Sequence, residues 1–275
     1  MRVRYLAVFL CSIFFSSLPF GTIFAEEKPV YTIGIVPQQA VTKLVRLWTP
    51  LLEKISEQSG YKLRFKTAVD INSFEDNLFT GEYDFAYMNP YHYTVFSKDK
   101  VYSAFARERN KSILGLVVVH KDSPIKNVDM LNNESLAFPS EAAFAASILP
   151  RAELKTKGID IDAHYVGSHD SVYHVVARKM YPAGGGILRT YLSVSPEIRS
   201  QLKVLWQSEK HTPHAFAAHK RIDPAVVKSI QQVMINMDKD PGTKELIDNL
   251  RMNGFIKASD SDWQGIRDLN IDTLK

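Results

Sequence analysis

The alternation of short apolar runs with helical patterns is the feature that most limits the folds open to this chain. Between residues 30 and 97, candidate strands rich in β-branched and aromatic residues alternate with stretches whose apolar residues recur at helical spacing. The segments are strand 30–36, helix 41–59, strand 61–67, helix 71–80, strand 83–87 and helix 91–97. This βαβαβα order is typical of an α/β fold with mostly parallel strands, and Pro50 predicts a kink or restart in the first helix.

The pattern returns in a second block of similar size. After strands at 102–107 and 113–120, that block contains strand 135–138, a helix from Glu141, strand 164–166, a helix from His169 and strands 184–188 and 203–206. Apolar strands near 113–120 and 212–219 connect the blocks, which indicates two lobes with two crossovers. We therefore predict a two-lobed α/β fold in which each lobe is a mixed sheet flanked by helices. Lobe 1 takes residues 26–116 and 214–275, and lobe 2 takes residues 117–213.

Residues 1–25 have the pattern of a secretory signal peptide. Arg2 and Arg4 precede an uncharged run of twenty residues, and the small Ala25 then meets a charged segment. A membrane anchor of that length is the alternative, but serines, a proline and a threonine dilute the run. Cleavage after Ala25 removes Cys11, the only cysteine, and lowers the formal net charge from +4 to +2, because both arginines leave. A nearly neutral chain without cysteine is compatible with an oxidising compartment and argues against nucleic-acid binding.

A ligand site is best sought where strands end and helices begin, because ligands of open α/β sheets bind outside the carboxyl ends of the strands. Four such junctions carry unusual residues, at 36–39, 87–93, 138–143 and 167–171. Each places free backbone N–H groups and the positive end of a helix dipole beside hydroxyls, amides or an imidazole. Several helix starts facing one cleft would bind an oxyanion, with Gln38 and Asn89 as candidate contacts. Ordinary helix capping is the alternative at any single junction.

Five segments of the chain resemble those of a known family. They are Gly34–Gln39, Asp84–Tyr93, Leu136–Ser140, Gly167–Ser171 and Ala183–Gly186. In order and over nearly the whole mature chain, they are similar to the phosphate, phosphite and phosphonate binding proteins of ABC importers. The resemblance implies a two-lobed periplasmic binding protein of type II. Such a protein closes on an oxyanion by a hinge motion and presents it to an ABC permease in the inner membrane.

The resemblance also implies which residues contact the ligand. Tyr87 and Tyr93 would come from lobe 1. Lobe 2 would supply Ser140, the backbone amides of Glu141, Ala142 and Ala143, His169 and Asp170. Tyrosine hydroxyls and helix amides suit tetrahedral oxygens, and a protonated His169 would add positive charge.

Two departures from the family pattern bear on the ligand. Ser140 is followed by Glu141, Ala142 and Ala143, where family members commonly carry further hydroxyl or glycine residues. Glu141 either turns toward solvent as a first-turn acid or enters the cleft, where it would recognise a ligand amine or reject a full dianion. Pro182-Ala183 stands where relatives often carry an acid that would meet a ligand amine.

Other motifs favour ordinary roles. Ser168, His169 and Asp170 have the residue types of a hydrolase triad, but consecutive side chains on one turn point apart. The histidines have no cysteine partners and no HExxH pattern, so we expect neither a metal site nor a cofactor. The run Gly184–Gly186 lacks the spacing and lysine of a phosphate loop and predicts close backbone approach. Arg189, just beyond it, is either a ligand contact or an exposed arginine.

Capture of a phosphonate, phosphite or phosphate for an ABC importer, without catalysis, is the function that the sequence favours. Two alternatives stay open. The ligand-bound protein could be the sensory input of a membrane-bound histidine kinase, or the fold could belong to an enzyme that acts on a small heterocycle. The enzyme would need an activated nucleophile or base in its cleft, whereas a binding protein returns its ligand unchanged.

Overall fold

The computed structural model describes Met1 and residues 29–271, so the predicted signal peptide lies, apart from Met1, outside the described residues. In the described part, eleven strands form two separate sheets. The strands are β1 (Val30–Ile35), β2 (Lys62–Lys66), β3 (Phe85–Met88), β4 (Tyr102–Glu108), β5 (Gly115–His120), β6 (Glu134–Phe138), β7 (Ile161–Tyr165), β8 (Ala183–Ile187), β9 (Leu202–Gln207), β10 (Ala215–His219) and β11 (Phe255–Lys257).

Helices flank both sheets. They are α1 (Val41–Ser59), α2 (Ile71–Phe79), α3 (Pro90–Phe96), α4 (Leu149–Thr156), α5 (His169–Ala177), α6 (Leu188–Ser193), α7 (Pro196–Arg199), α8 (Pro224–Met234), α9 (Pro241–Asn249) and α10 (Gln264–Arg267). A π-helical turn (Phe144–Ile148) precedes α4, and 3₁₀ turns lie at 98–100, 128–131, 237–239 and 260–263. Within the described residues, no helix combines the length and the apolar character needed to cross a membrane.

The two sheets define the two lobes. The first has the strand order β2-β1-β3-β10-β4-β11, and the second has the order β7-β6-β8-β5-β9. β1 and β6 each pair in parallel with both neighbours, whereas β10 and β5 each run antiparallel to both of theirs. The predicted two-lobed fold with a mixed sheet in each lobe is confirmed. The expectation of mostly parallel strands is wrong, because the strands next to the crossovers run antiparallel.

Two crossovers connect the lobes. One joins β4 to β5 through residues 109–114, and the other joins β9 to β10 through residues 208–214. Two hydrogen bonds hold them side by side. The Ile113 N–H donates to the His211 carbonyl (2.9 Å), and the His211 N–H donates to the Ile113 carbonyl (3.1 Å). The lobe limits predicted at 116/117 and 213/214 fall just inside β5 and just before β10.

The helix α1 packs lobe 1 and positions the end of β1. Its apolar stripe, which includes Trp48, Leu51 and Leu52, is buried in the lobe 1 core. The helix ends at Gly60, which adopts the left-handed conformation that glycine tolerates best. A restart at Pro50 is wrong, since one helix continues through it. Burial on both sides of Pro50 outweighs the roughly 3 kcal/mol that an internal proline costs.

Candidate functional site

The lobes meet where β1, β3 and β6 end and where α5 begins. Direct hydrogen bonds join them there. These run from the Asn89 side chain to the Ala142 carbonyl (3.2 Å), from the His169 N–H to the Gln38 carbonyl (3.1 Å), from the Ala40 N–H to the Asp170 carboxylate (3.2 Å) and from the Lys43 ammonium to the Ser193 carbonyl (2.6 Å). The structure is therefore closed at this interface, and the predicted residues Gln38, Asn89, Ala142, His169 and Asp170 all take part in it.

A small space, which we call the interlobe space, lies among these contacts. Its volume of about 10 Å³ is room for about one water molecule. Lobe 1 lines it with Gln38, Asn89 and His214, and lobe 2 lines it with His169 and residues 143–146. A tetrahedral oxyanion has several times as many heavy atoms as water, so it enters this space only if the lobes move apart.

Glycines in lobe 2 fix the position of the π-helical turn beside the interlobe space. A Cβ atom on Gly115 of β5 would lie 2.1 Å from the Ala145 carbonyl oxygen, and one on Gly185 of β8 would lie 1.9 Å from that of Ala146. Only glycine lets these carbonyls approach the sheet so closely. The close backbone approach predicted for Gly184–Gly186 is therefore confirmed.

The segment after β6 forms a turn that precedes the helical structure. The Ser140 carbonyl accepts hydrogen bonds from the Ala143 N–H (3.4 Å) and from the Ser147 hydroxyl (2.5 Å), and helical structure starts only at Phe144. The prediction of a helix from Glu141 is wrong, because these two donors hold the carbonyl in a turn. Ser140 is buried, and its hydroxyl has no hydrogen-bond partner among the described residues. Glu141 is exposed to solvent.

Arg189 of lobe 2 contacts side chains of lobe 1 across the cleft. Its guanidinium lies 3.4 Å from the Glu108 carboxylate, 3.4 Å from the Gln38 side-chain oxygen and 5.6 Å from the centre of the Tyr87 ring. The Tyr87 ring stacks on His214 with a centroid distance of 4.9 Å. The side-chain nitrogen of Gln38 lies 2.8 Å from Nε2 of His214. A positive charge thus stands beside the predicted Tyr87 and Gln38, balanced by a buried carboxylate.

Burial sets the protonation of the groups in this cluster. It lowers the pKa of His169 to about 3, and the Arg189 charge acts in the same direction. The pKa of His214 is also well below its usual value, through burial first and Arg189 second. Burial raises the pKa of Tyr87 to about 12, so its hydroxyl stays protonated. The expectation of a protonated His169 is wrong for the closed protein, in which Arg189 carries the positive charge.

Tyr93 is the predicted residue that lies apart from the others. Its hydroxyl donates to the Asp260 carboxylate (2.8 Å) and accepts from the Ala104 N–H (3.2 Å), and its ring lies 4.6 Å from that of Trp263. All of these partners belong to lobe 1, and the interlobe space is lined by other residues. In this structure the Tyr93 hydroxyl therefore forms its hydrogen bonds within lobe 1.

Sequence reasoning missed two members of the cluster and left a third undecided. His214 was one of several histidines without a distinguishing pattern, and Glu108 ends a strand with no local signal. Arg189 follows β8 at the same kind of strand-to-helix junction as the other candidates, so its position could have identified it. Over residues 29–271, no three His, Cys, Asp or Glu side chains are grouped in a way that could hold a metal ion.

The two lobes, their paired crossovers and the closed contact between strand ends match a known architecture. The family of periplasmic phosphonate substrate-binding proteins of ABC transporters matches residues 33–263. The chain belongs to this family. The resemblance seen in the five sequence segments is thereby confirmed, and the match spans both lobes of this binding protein.

Individual relatives agree with the family match. The phosphate-import protein PhnD of Mycolicibacterium smegmatis is 22% identical to this binding protein, over 88% of this chain and 86% of its own length. A binding protein component of an ABC phosphonate transporter from Pseudomonas aeruginosa has a TM-score of 0.82 at 18% identity, covering 89% of this chain and 86% of that one. PhnD1 of Prochlorococcus marinus, solved with methylphosphonate, has a TM-score of 0.78 at 20% identity, covering 88% and 98%. At these identities the two solved structures establish the shared fold.

Proposed function

We propose that the protein captures a phosphonate, phosphite or phosphate between its lobes and presents it to an ABC permease of the inner membrane. The observation that carries the proposal is the wall of the interlobe space, where the carboxyl ends of β1, β3 and β6 meet the amino end of α5. Ligands of open α/β sheets bind at such edges. Membership of the phosphonate-binding family supports the same role.

Lobe 2 supplies hydrogen-bond donors for the ligand oxygens. The buried hydroxyl of Ser140, without a partner among the described residues, is free to donate to an oxyanion. The helix α5 directs its positive end at the cleft, and its first N–H, that of His169, is held only by the Gln38 carbonyl across the interface. Opening the lobes releases this donor. Arg189, which lines an adjoining cavity and contacts Gln38, adds a full positive charge nearby.

Capture by this route requires a hinge motion. The interlobe space of about 10 Å³ admits no oxyanion while the direct bonds between the lobes are intact. The crossovers, paired through Ile113 and His211, are the connection about which the lobes can rotate. Closure around a ligand would then exchange direct contacts, such as the bond from Asn89 to Ala142, for bonds to ligand oxygens.

The proposal assigns the protein to the periplasm after removal of residues 1–25, and it assigns no catalytic step. The full chain, expressed in a bacterial host and recovered from the periplasm, should begin at Glu26 when its mass is measured. A recovered mass that includes residues 1–25 would contradict the cleavage. Methylphosphonate incubated with the protein should show an unchanged ³¹P spectrum, and a new signal would indicate an enzyme.

Titration calorimetry with phosphate, phosphite, methylphosphonate and 2-aminoethylphosphonate tests the ligand class. Ser140→Ala should weaken binding of the preferred ligand about tenfold or more, because a hydrogen bond to a charged group contributes about 1.5–3 kcal/mol. Its melting temperature should stay at the wild-type value, since the Ser140 hydroxyl has no partner among the described residues. Ser103→Ala, at an exposed serine of β4, is the matched control and should change neither quantity.

Two results would contradict the proposal. If none of the four compounds binds at millimolar concentration, the ligand class is wrong. If one of them binds and Ser140→Ala leaves its affinity unchanged, the Ser140 hydroxyl does not contact the ligand and the proposed donor set is wrong.

A further inference from the structure

A second and much larger cavity adjoins the interlobe space. Its volume is about 500 Å³, and it shares Ile113, Ile187 and His214 with the wall of the smaller space. Sites for whole organic ligands have volumes of roughly 300–1,000 Å³. Phosphate or methylphosphonate, bound between the lobes, would leave this cavity unfilled.

The charged side chains of the large cavity do not balance one another. Arg189 pairs with Glu108 at 3.4 Å, and Asp248 pairs with Lys244 at 2.5 Å. Three further cations line the cavity without an ion pair or a side-chain hydrogen bond among the described residues, namely Lys111, Lys210 and Arg251. Of these, Lys111 acts at longer range on the Glu108 carboxylate, which Arg189 already pairs. A ligand in this cavity therefore meets an excess of positive charge that the protein itself does not neutralise.

The rest of the wall is largely apolar. It includes Leu114, Leu188, Leu192, Pro213 and Met252. Surfaces of this kind pack against the carbon atoms of a ligand, while a few polar groups fix its orientation. The cavity thus combines apolar surface near the interlobe space with three unpaired cations.

We propose that this cavity holds the second, anionic end of an organophosphorus ligand, whose carbon chain links a phosphoryl group to a carboxylate or a similar anion. The inference rests on the proposed function, because the phosphoryl group is assigned to the interlobe space. It narrows the substrate class to phosphonates with an anionic tail. A cationic tail, as in 2-aminoethylphosphonate, would be repelled by Lys111, Lys210 and Arg251.

Three phosphonates of nearly equal size distinguish the effect of tail charge on affinity from the effect of tail shape. Propylphosphonate has an apolar tail, 3-phosphonopropionate has an anionic tail and 2-aminoethylphosphonate has a cationic tail. Calorimetry on the wild-type protein should give the tightest binding for 3-phosphonopropionate, by about tenfold over propylphosphonate. The amino compound should bind more weakly than propylphosphonate.

The double variant Lys210→Gln/Arg251→Asn removes two of the unpaired cations. Both side chains are exposed, and asparagine suits the left-handed conformation of Arg251 (φ 56°), so the fold should be retained. The affinity ratio of 3-phosphonopropionate to propylphosphonate should fall from about ten toward one. Lys228→Gln, at an exposed lysine of α8 outside both cavities, is the control and should keep the wild-type ratio.

The outcomes distinguish this inference from the proposed function. If the three phosphonates bind with equal affinity, or if the double variant keeps the preference, the anionic-tail site is refuted and the proposed function stands. If neither these compounds nor phosphate bind at all, both the proposed function and the anionic-tail site are refuted.

Discussion

Replacing Gly185 by alanine puts the packing of the π-helical turn to a direct test. The new Cβ atom would lie 1.9 Å from the Ala146 carbonyl oxygen, and two ring atoms of Phe138 lie 2.6 and 2.8 Å from the same point. Because Cβ contacts below 3.0 Å essentially do not occur, the turn must move away from β8 by about 1 Å. Overpacking costs about 1–3 kcal/mol, and a backbone clash belongs at the upper end or beyond, so we expect a loss of about 3 kcal/mol.

Thermal and urea unfolding, followed by circular dichroism, measure this loss. For a chain of this size, about 3 kcal/mol corresponds to a melting temperature lowered by about 6–12 °C. Gly265→Ala is the matched control. No described atom lies within 4 Å of a Cβ at this helical position, so alanine should be neutral or stabilising by up to about 1 kcal/mol.

If the free energy of unfolding of Gly185→Ala lay within about 0.5 kcal/mol of the wild-type value, as for most surface substitutions, the close approach of the turn to β8 would be contradicted. A second readout is ligand affinity. Since residues 143–146 line the interlobe space, displacing the turn should also weaken phosphonate binding. A destabilised variant with wild-type affinity would show that the position of the turn does not control the site.

Three further predictions concern single side chains. Tyr93→Phe should lower the free energy of unfolding by about 1 kcal/mol, because the Ala104 N–H loses its acceptor while the exposed Asp260 keeps its ion pair with Arg267. Calorimetric phosphonate affinity should stay the same, and a weakened affinity would return Tyr93 to the ligand site. The pKa values of His169 and His214 are depressed in the folded protein, so below about pH 6.5 the unfolded chain binds more protons than the folded one. The free energy of unfolding in urea should therefore fall as the pH drops from about 6.5 toward 3. The slope should be up to about 1.4 kcal/mol per pH unit for each histidine. A stability that stayed flat over that range would contradict the buried, neutral state of both histidines. Arg189→Gln should destabilise the protein by up to about 3–5 kcal/mol, because the buried Glu108 carboxylate loses its ion pair and keeps only a hydrogen bond from the Asn253 N–H and the charge of Lys111. The variant should also bind phosphonates more weakly, since it loses the Arg189 charge. Adding Glu108→Gln should restore stability but not affinity; equal stability of the single and double variants would contradict the pairing.

The elements of this fold could be predicted from the sequence because periodicity and capping are local. The helix α5 starts where predicted, since the Ser168 side chain caps it by accepting from the N–H of Ser171 (3.1 Å). The strand-end rule likewise placed Gln38 and Asn89 at one edge of the lobe 1 sheet, because the ends of parallel strands share an edge, and it placed His169 at the corresponding edge of the lobe 2 sheet. These conclusions needed no knowledge of which distant segments touch.

The tertiary structure decided what the cleft contains. The Arg189–Glu108 pair joins residues 81 positions apart, and the contact from Gln38 to His214 joins residues 176 apart. The neutral state of His169 likewise comes from burial and from Arg189, which no local pattern specifies. Local sequence patterns were enough to predict most of the elements and to place the candidate residues at strand ends. Only the folded chain decided which side chains face the cleft and what charge they carry, because both depend on contacts between residues far apart in sequence.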